Sequence, residues 1–308
     1  AGYETAAFVS TYLLKPHACG LERGFDVYDA EMNSRNLGHD DFERRSRETV
    51  DRAVKWLAAT AGRSRFLWVH LYDPHGLYDP ADPENRERFL RETDRPDLRP
   101  EQIVSYQEIH GEFDPDVYVA RYDGEIFEAD AALGRLMEAA GTEALIAVGA
   151  DHGESLGEDD YWFRHGALLN RASLHVPLVI AGPGVSEGRR HAGLVRNLDV
   201  APTLLGLAGL SPLRDARGRS LVGDLSGPAV PAYAESRRGG GRLDRTGIDM
   251  GYKVSLTMPD SHLVWRVGRE TCPHPALSRW IRKMPDRRVG EEPPDDVDDA
   301  LRGLGYIR

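Results

Sequence analysis

Ala144-Leu-Ile-Ala-Val-Gly-Ala-Asp151-His152-Gly153-Glu154-Ser155 is the stretch whose reading decides the fold, and a second imidazole follows in Arg164-His165-Gly166. A short apolar run stops at an acid and an imidazole. Runs of this kind are interior strands of α/β proteins, and ligands gather just beyond the carboxyl ends of such strands. An Asp and a His delivered together at a strand end, with a glycine next, supply two donors for a metal ion. The same pair taken alone reads first as a hydrogen-bonded turn cap, so the surrounding chain has to decide.

Upstream, the run is fed by a helix that Asp114 caps and Pro115 opens. Its apolar positions Tyr118, Tyr122, Ile126, Ala129, Leu133 and Leu136 keep steps of three and four, and Ala140-Gly141 closes it. Before it, Phe66-Leu-Trp-Val-His-Leu-Tyr72 is β-prone and ends at Asp73-Pro74-His75-Gly76, which places His75 on the loop past a strand end. Thr5–Val9 reads as a further short strand. From Asp41, the stripe Phe42, Val50, Val54 and Leu57 predicts a helix whose other face, with Arg44, Arg45, Arg47 and Glu48, is solvated. Residues 79–114, rich in Pro, Asp, Glu and Arg, read as a surface excursion.

Downstream, Val176–Ala181 predicts another buried strand, and Asp199–Ala208 a capped apolar helix ended by Gly209. Strand, helix and strand in alternation predict an α/β fold with a mostly parallel sheet sandwiched by helices. Farther on, Pro231–Ala234, Tyr252–Thr257 and His262–Val267 alternate as antiparallel strands do, and Ala300–Tyr306 reads as a short terminal helix. The expected organisation is therefore an α/β domain over residues 1–229 and a small antiparallel subdomain with a terminal helix over 230–308.

The sequence has 308 residues, 41% apolar and 29% charged, which suits a globular protein with a large core. A net charge of −11 disfavours nucleic acid or an anionic membrane as the partner. It leaves an anionic substrate open, because a bound cation reverses the local field. Two cysteines, Cys19 and Cys272, make no disulfide framework and no cysteine zinc site, and the sequence does not place their sulfurs together. The sequence begins at Ala1 one step before a strand, from which the expectation is a chain lacking its N-terminal portion.

Taken together, these stretches resemble the sulfatase family of the alkaline phosphatase superfamily. The resemblance is carried by Ala7-Phe-Val-Ser10, Gly20-Leu-Glu-Arg-Gly-Phe-Asp-Val-Tyr-Asp29, Phe66–His75, Tyr122-Asp-Gly-Glu125, Asp151–Gly157 and His165-Gly166. It continues through Val176-Pro-Leu178, Gly182-Pro-Gly184, Asp199-Val-Ala-Pro-Thr203 and Leu301–Tyr306, while residues 79–113 and 211–290 match poorly. The resemblance implies an alkaline-phosphatase-like fold and hydrolysis of a sulfate monoester by a formylglycine nucleophile. It implies a divalent cation, calcium first, with manganese or zinc as alternatives. Asp151 and His152 become the later pair of metal ligands, His75 the contact to sulfate oxygens, and His165 the residue near the leaving-group oxygen. The implied substrate is a sulfated small molecule or glycan, and the implied location is periplasmic or otherwise extracytoplasmic.

One departure bears on chemistry. The family's Cys/Ser-x-Pro/Ala-x-Arg motif does not occur, since Cys19 is followed by Gly-Leu-Glu and Cys272 by Pro-His-Pro. The early acidic ligand pair has no counterpart either, and one Asp with one His cannot satisfy a calcium ion that takes about six to eight oxygens. The expectation is half a metal site, with nucleophile and remaining ligands on a segment outside this sequence. Phosphoethanolamine transferases and phosphonate monoester or phosphodiester hydrolases share Asp-His-Gly-Glu and a later His-Gly, so that chemistry stands as the alternative. A third reading is a non-catalytic binding remnant.

Each site residue also has a structural alternative. His152 is either a ligand, although imidazole suits zinc or manganese better than calcium, or a donor to the carboxylates behind the metal. His165 either protonates the departing alkoxide or orients the sulfate. His75 is otherwise a histidine held by its own turn. Asp73 takes a turn hydrogen bond, His70 belongs to the core or stands behind the site residues, His175 starts a strand, and Glu154 either buttresses the metal site or caps a helix.

Overall fold

A computed structural model describes residues 2–32, 43–223, 230–236, 253–258 and 261–266. The expected terminal helix at 300–306, Cys272, Phe42 and the Gly-rich Arg237–Arg242 lie outside these residues. The chain divides into two compact units, one containing Ala1–Thr142 and the other running over Glu143–Arg288. Among the described residues no helix is long and apolar enough to cross a membrane.

The first unit is built on a parallel three-stranded sheet. Its strands β1 (Glu4–Phe8), β2 (Val27–Asp29) and β3 (Arg65–Val69) lie in the order β2-β1-β3. Ala6, Ala7, Phe8 and Val9 are buried, because the central strand has neighbours on both edges. A four-residue helix α1 (Pro16–Cys19) follows β1, and α2 (Ser46–Ala59) connects β2 to β3. Val50, Ala53 and Leu57 form the buried stripe of α2, and Ala53 and Trp56 pack with Ala6, Phe8, Leu67 and Val69. The long α3 (Pro115–Ala140) packs along α2. It starts and stops where the sequence predicts: Asp114 accepts the Asp116 N–H at 2.8 Å, and Gly141 donates to Met137 from a φ of 82°.

One expectation in this unit is corrected. Arg44 is not solvated: it is 1% exposed, ahead of a helix that begins at Ser46 rather than at Asp41. Its guanidinium donates to Asp29 Oδ1 at 2.5 Å, to the Val9 carbonyl at 2.8 Å and to Thr49 Oγ1 at 3.0 Å. A charge enclosed by that many acceptors is tolerated in a core where a lone one is not. The surface excursion after Tyr78 is anchored on α3. Glu125 accepts from the Asp79 N–H at 2.8 Å, and Glu128 accepts from the Ala81 and Asp82 N–H groups at 2.9 Å. Gly124 lets this segment approach, since a Cβ there would run into the Asn85 carbonyl and Pro80.

The second unit carries the opening stretch. Strand β4 (Ile146–Gly149) leads into a hairpin of β5 (Ser155–Leu156) and β6 (Trp162–Arg164). A short α4 (Arg171–Leu174) comes next, then β7 (Leu178–Ala181) and α5 (Val200–Leu207). Three strands β8 (Ala232–Ser236), β9 (Lys253–Met258) and β10 (Ser261–Arg266) pair antiparallel in the order β10-β9-β8, at the three segments whose alternation predicts them.

The α/β class stands, with a local difference at β4. This strand pairs antiparallel with β7, and β7 is not buried on both faces, Val179 being 58% exposed. A parallel return needs a crossover as long as the strand. Between β4 and β7 the chain places the β5–β6 hairpin and the four-residue α4 rather than a helix long enough to carry it back along the strand.

Candidate active site

In the second unit, β4 delivers Asp151 and His152 just past its carboxyl end, as the apolar run predicts. The turn is pinned by backbone. Gly153 N–H donates to the Ser173 carbonyl at 2.8 Å, and a Cβ on Gly153 would run into the Ala172 carbonyl, so only glycine fits here. Asn197 Nδ2 holds the Ala150 carbonyl at 3.1 Å from the segment before α5.

Within this turn Asp151 Oδ1 accepts the His152 N–H at 3.0 Å, and its Oδ2 lies 3.9 Å from His152 Nε2. His152 Nδ1 lies 3.0 Å from the Gly153 carbonyl, which makes it the protonated nitrogen and gives Nε2 the lone pair. A carboxylate oxygen and an imidazole lone pair at that separation can share one cation. The pair is open, with side chains 81% and 39% exposed for Asp151 and His152. Among the described residues no group of three or more His, Cys, Asp or Glu is placed to hold a metal. The donor set therefore fits part of a divalent-cation site and does not complete one.

His165 arrives on the same turn from β6. Its ring stacks on that of His152, centroids 3.9 Å apart and planes 21° apart. Its Nδ1 lies 3.3 Å from both carboxylate oxygens of Glu154. This pair is enclosed where Asp151 is open, with side chains 9% exposed for His165 and 5% for Glu154. The backbone around it is fixed by Tyr161, whose hydroxyl donates to the His165 carbonyl at 2.9 Å, and by Ser236 Oγ on the Gly166 carbonyl. The hairpin that presents it holds Asp159, Asp160 and Phe163 at φ of 59°, 55° and 50°, a left-handed conformation that costs non-glycine residues energy. Asn170 offsets part of that cost, bonding Asp159 Oδ2 and Ser155 Oγ at 3.1 Å each.

His75 belongs to the first unit. It is buried between Tyr72, centroids 4.3 Å apart, and Tyr106, 6.3 Å apart, with Nδ1 3.1 Å from the carbonyl of Gly76 and Nε2 3.4 Å from the Tyr72 hydroxyl. The structure thus brings Asp151, His152 and His165 together in one unit and gives His75 its own aromatic setting in the other. Of the residues read as structural, Asp73 accepts the Ser46 N–H at 2.6 Å and caps α2 from outside its own segment. The His70 N–H donates to Phe8, and His175 N–H closes α4 on Arg171 at 2.8 Å. Glu154 is the residue whose role the sequence left open; the structure places it against His165. Its only advance signal is position, since it stands two residues after His152 and just ahead of β5, in a hairpin whose other strand, β6, leads directly into His165.

The Sulfatase family model matches residues 1–210. The chain belongs to the sulfatase family. It is 42% identical over 101 residues to the choline-sulfatase of Rhizobium meliloti (strain 1021), a match covering 30% of this chain and 19% of that protein. It is 28% identical over 210 residues to the arylsulfatase K of Bos taurus, covering 57% of this chain and 38% of that one. The chain thus spans well under two thirds of the relatives it matches. Among solved structures, the phosphonate monoester hydrolase of Agrobacterium radiobacter superposes with a TM-score of 0.62 at 18% identity, over 99% of this chain and 76% of that one. That likeness is one of fold.

Proposed function

We propose that this chain carries the metal-binding and leaving-group half of a sulfuric ester hydrolase. The observation that carries the reading is the convergence of Asp151, His152 and the Glu154-backed His165 at the end of one strand, in a member of the sulfatase family. Asp151 Oδ2 and His152 Nε2 would hold a divalent cation together with oxygen donors from outside the described residues. Calcium is favoured by the carboxylate, manganese or zinc by the imidazole. Such a cation supplies charge neutralisation for the ester's anionic oxygens. His165 Nε2 gives a proton to the departing oxygen, a task that suits an imidazole near neutral pH. The role the family resemblance gives His75, a hydrogen bond to a sulfate oxygen, requires a protonated Nε2, since its Nδ1 faces the Gly76 carbonyl. The nucleophile comes from outside residues 1–308, which contain no formylglycine motif. The substrate class is a sulfated small molecule or glycan, and the site of action is extracytoplasmic.

The test is an assay of the full-length protein, with formylglycine formation verified, against aryl and alkyl sulfates. Turnover that falls by a factor of about 100 or more in Asp151→Asn and in His165→Ala is the expected result. Absence of sulfate ester hydrolysis over a broad substrate set overturns it. The imidazole at position 152 favours a second reading, in which a phosphonate monoester or phosphodiester is cleaved or transferred at the same site. Phenyl phosphonate and bis-aryl phosphate in the same assay decide between the two.

A further inference from the structure

We propose that Glu154 is the positioning residue for His165, holding a hydrogen on Nδ1 and fixing the ring orientation so that Nε2 is the nitrogen that takes up a second proton and gives it to the leaving group. The inference rests on the reading of His165 as the leaving-group acid. Both Glu154 oxygens lie 3.3 Å from one nitrogen, Nδ1, so the carboxylate straddles the N–H rather than meeting it with one oxygen. A carboxylate accepts only, so Nδ1 carries the hydrogen and proton exchange falls to Nε2.

The surroundings make this pairing costly to break. Glu154 is more enclosed than any exposed acid of the loop, and a carboxylate so enclosed holds its hydrogen bond in a low-dielectric setting. The opposite face of the ring is closed by His152, 3.9 Å away. Tyr161 and Ser236 fix the backbone at His165 and Gly166. The ring is thus held on its edge, on one face and at its root. The strained hairpin of Asp159, Asp160 and Phe163 serves the same placement, since it folds β6 back until His165 reaches Glu154.

Glu154 also stands three residues after the first metal-site donor. One tight turn therefore carries the anchor for the cation pair and the anchor for the acid. Glu154 makes no contact with substrate in this scheme, and its effect passes entirely through His165.

The experiment compares wild type, Glu154→Gln, Glu154→Asp, His165→Asn and the double variant in the full-length protein. Two substrates are used: 4-nitrophenyl sulfate, whose leaving group needs little protonation, and a simple alkyl sulfate, whose leaving group needs a full proton. Expected is a fall in kcat on the alkyl sulfate about 10- to 100-fold greater than on the aryl sulfate, with KM little changed. Glu154→Asp should recover part of it, and the double variant should be no slower than His165→Asn alone. Equal losses on both substrates, additivity with His165→Asn, or no loss would overturn the proposal.

A nitrogen-15 spectrum of the His165 ring is read in parallel and needs no turnover. A neutral ring protonated on Nδ1 in wild type, and redistributed towards Nε2 protonation in Glu154→Gln, supports the proposal. A neutral ring protonated on Nε2, with Nδ1 bare towards Glu154, overturns it. If wild type hydrolyses no sulfate ester while the ring still shows the Nδ1–H tautomer, the functional reading fails and the positioning role stands.

Discussion

Arg44 and Asp29 form an enclosed ion pair at the carboxyl end of the parallel sheet, Nη1 to Oδ1 2.5 Å, with the arginine side chain fully buried. The same guanidinium takes the Val9 and Glu31 carbonyls, so one residue ties the ends of β1 and β2 to the start of α2. Arg44→Met removes the donor to Asp29 Oδ1 and to two carbonyls, leaving Asp29 only Arg52 as a guanidinium donor. The expected cost is about 3–5 kcal/mol in urea unfolding. Arg44→Lys should not recover it, because an ammonium cannot fork to the same acceptors. Asp29→Asn should cost less, since an amide oxygen can still accept and Arg44 keeps Thr49 Oγ1 and the Val9 and Glu31 carbonyls.

Acid should act on both units through depressed carboxylates. Burial alone would raise Asp29, but hydrogen bonds from Arg44 and Arg52 outweigh it and hold its carboxyl below the ordinary 3.8. Burial alone would likewise raise Asp199, but hydrogen bonds from Arg196 and the Arg219 N–H, accepted at 2.8 and 2.9 Å, outweigh it and hold its carboxyl low. A lowered folded value means that the stabilisation is present above the unfolded value and is lost as pH falls through the folded one. Melting temperature should therefore drop below about pH 4, and Asp199→Asn should shrink that drop.

Glu43 predicts the opposite slope. Burial pushes its carboxyl from 4.5 to about 8, with the charges of Asp73 and Asp79 adding to the rise and Arg45 opposing it. Burial and the Asp73 charge also push Glu125 up. The folded chain then holds a proton that the unfolded chain has released, so stability falls as pH climbs from 4.5 towards 8. Glu43→Gln should flatten that slope and add about 1–3 kcal/mol at the alkaline end. Unfolding midpoints across the range check both.

Two glycines give a paired test of local fit. Gly153→Ala sets a methyl against the Ala172 carbonyl and must displace the turn that carries Asp151 and His152. Expected is a loss of about 1–3 kcal/mol and of metal binding in the full-length protein. Gly134, inside α3, has nothing within 4 Å of an added Cβ. Gly134→Ala should stabilise by about 0.5–1 kcal/mol, seen as a higher melting temperature.

Metal binding by residues 1–308 alone should be weak. One carboxylate and one imidazole at 3.9 Å are the donors the described residues gather. Calorimetry with calcium or manganese should give a dissociation constant of about 10⁻³ M or weaker. Tight stoichiometric binding would contradict the half-site reading.

The sequence by itself determined what depends on local chemistry and short-range period. The bounds of α3 follow from Asp114, Pro115 and Gly141, and the strand carrying Asp151 and His152 from an apolar run that ends on them. The three antiparallel segments after residue 230 follow from their alternation. Periodicity says which face of a segment is apolar, and it says nothing about which distant group a polar side chain will meet. Tertiary structure alone decided that Arg44 is interior, because its acceptors come from Val9, Asp29 and Thr49. It decided that β7 returns antiparallel to β4, since strand direction depends on where the connection ends and not on the strand's residues. It also decided the partner of His165: Glu154 is eleven positions away in the chain and 3.3 Å away across a hairpin whose left-handed residues no pattern of polarity announces.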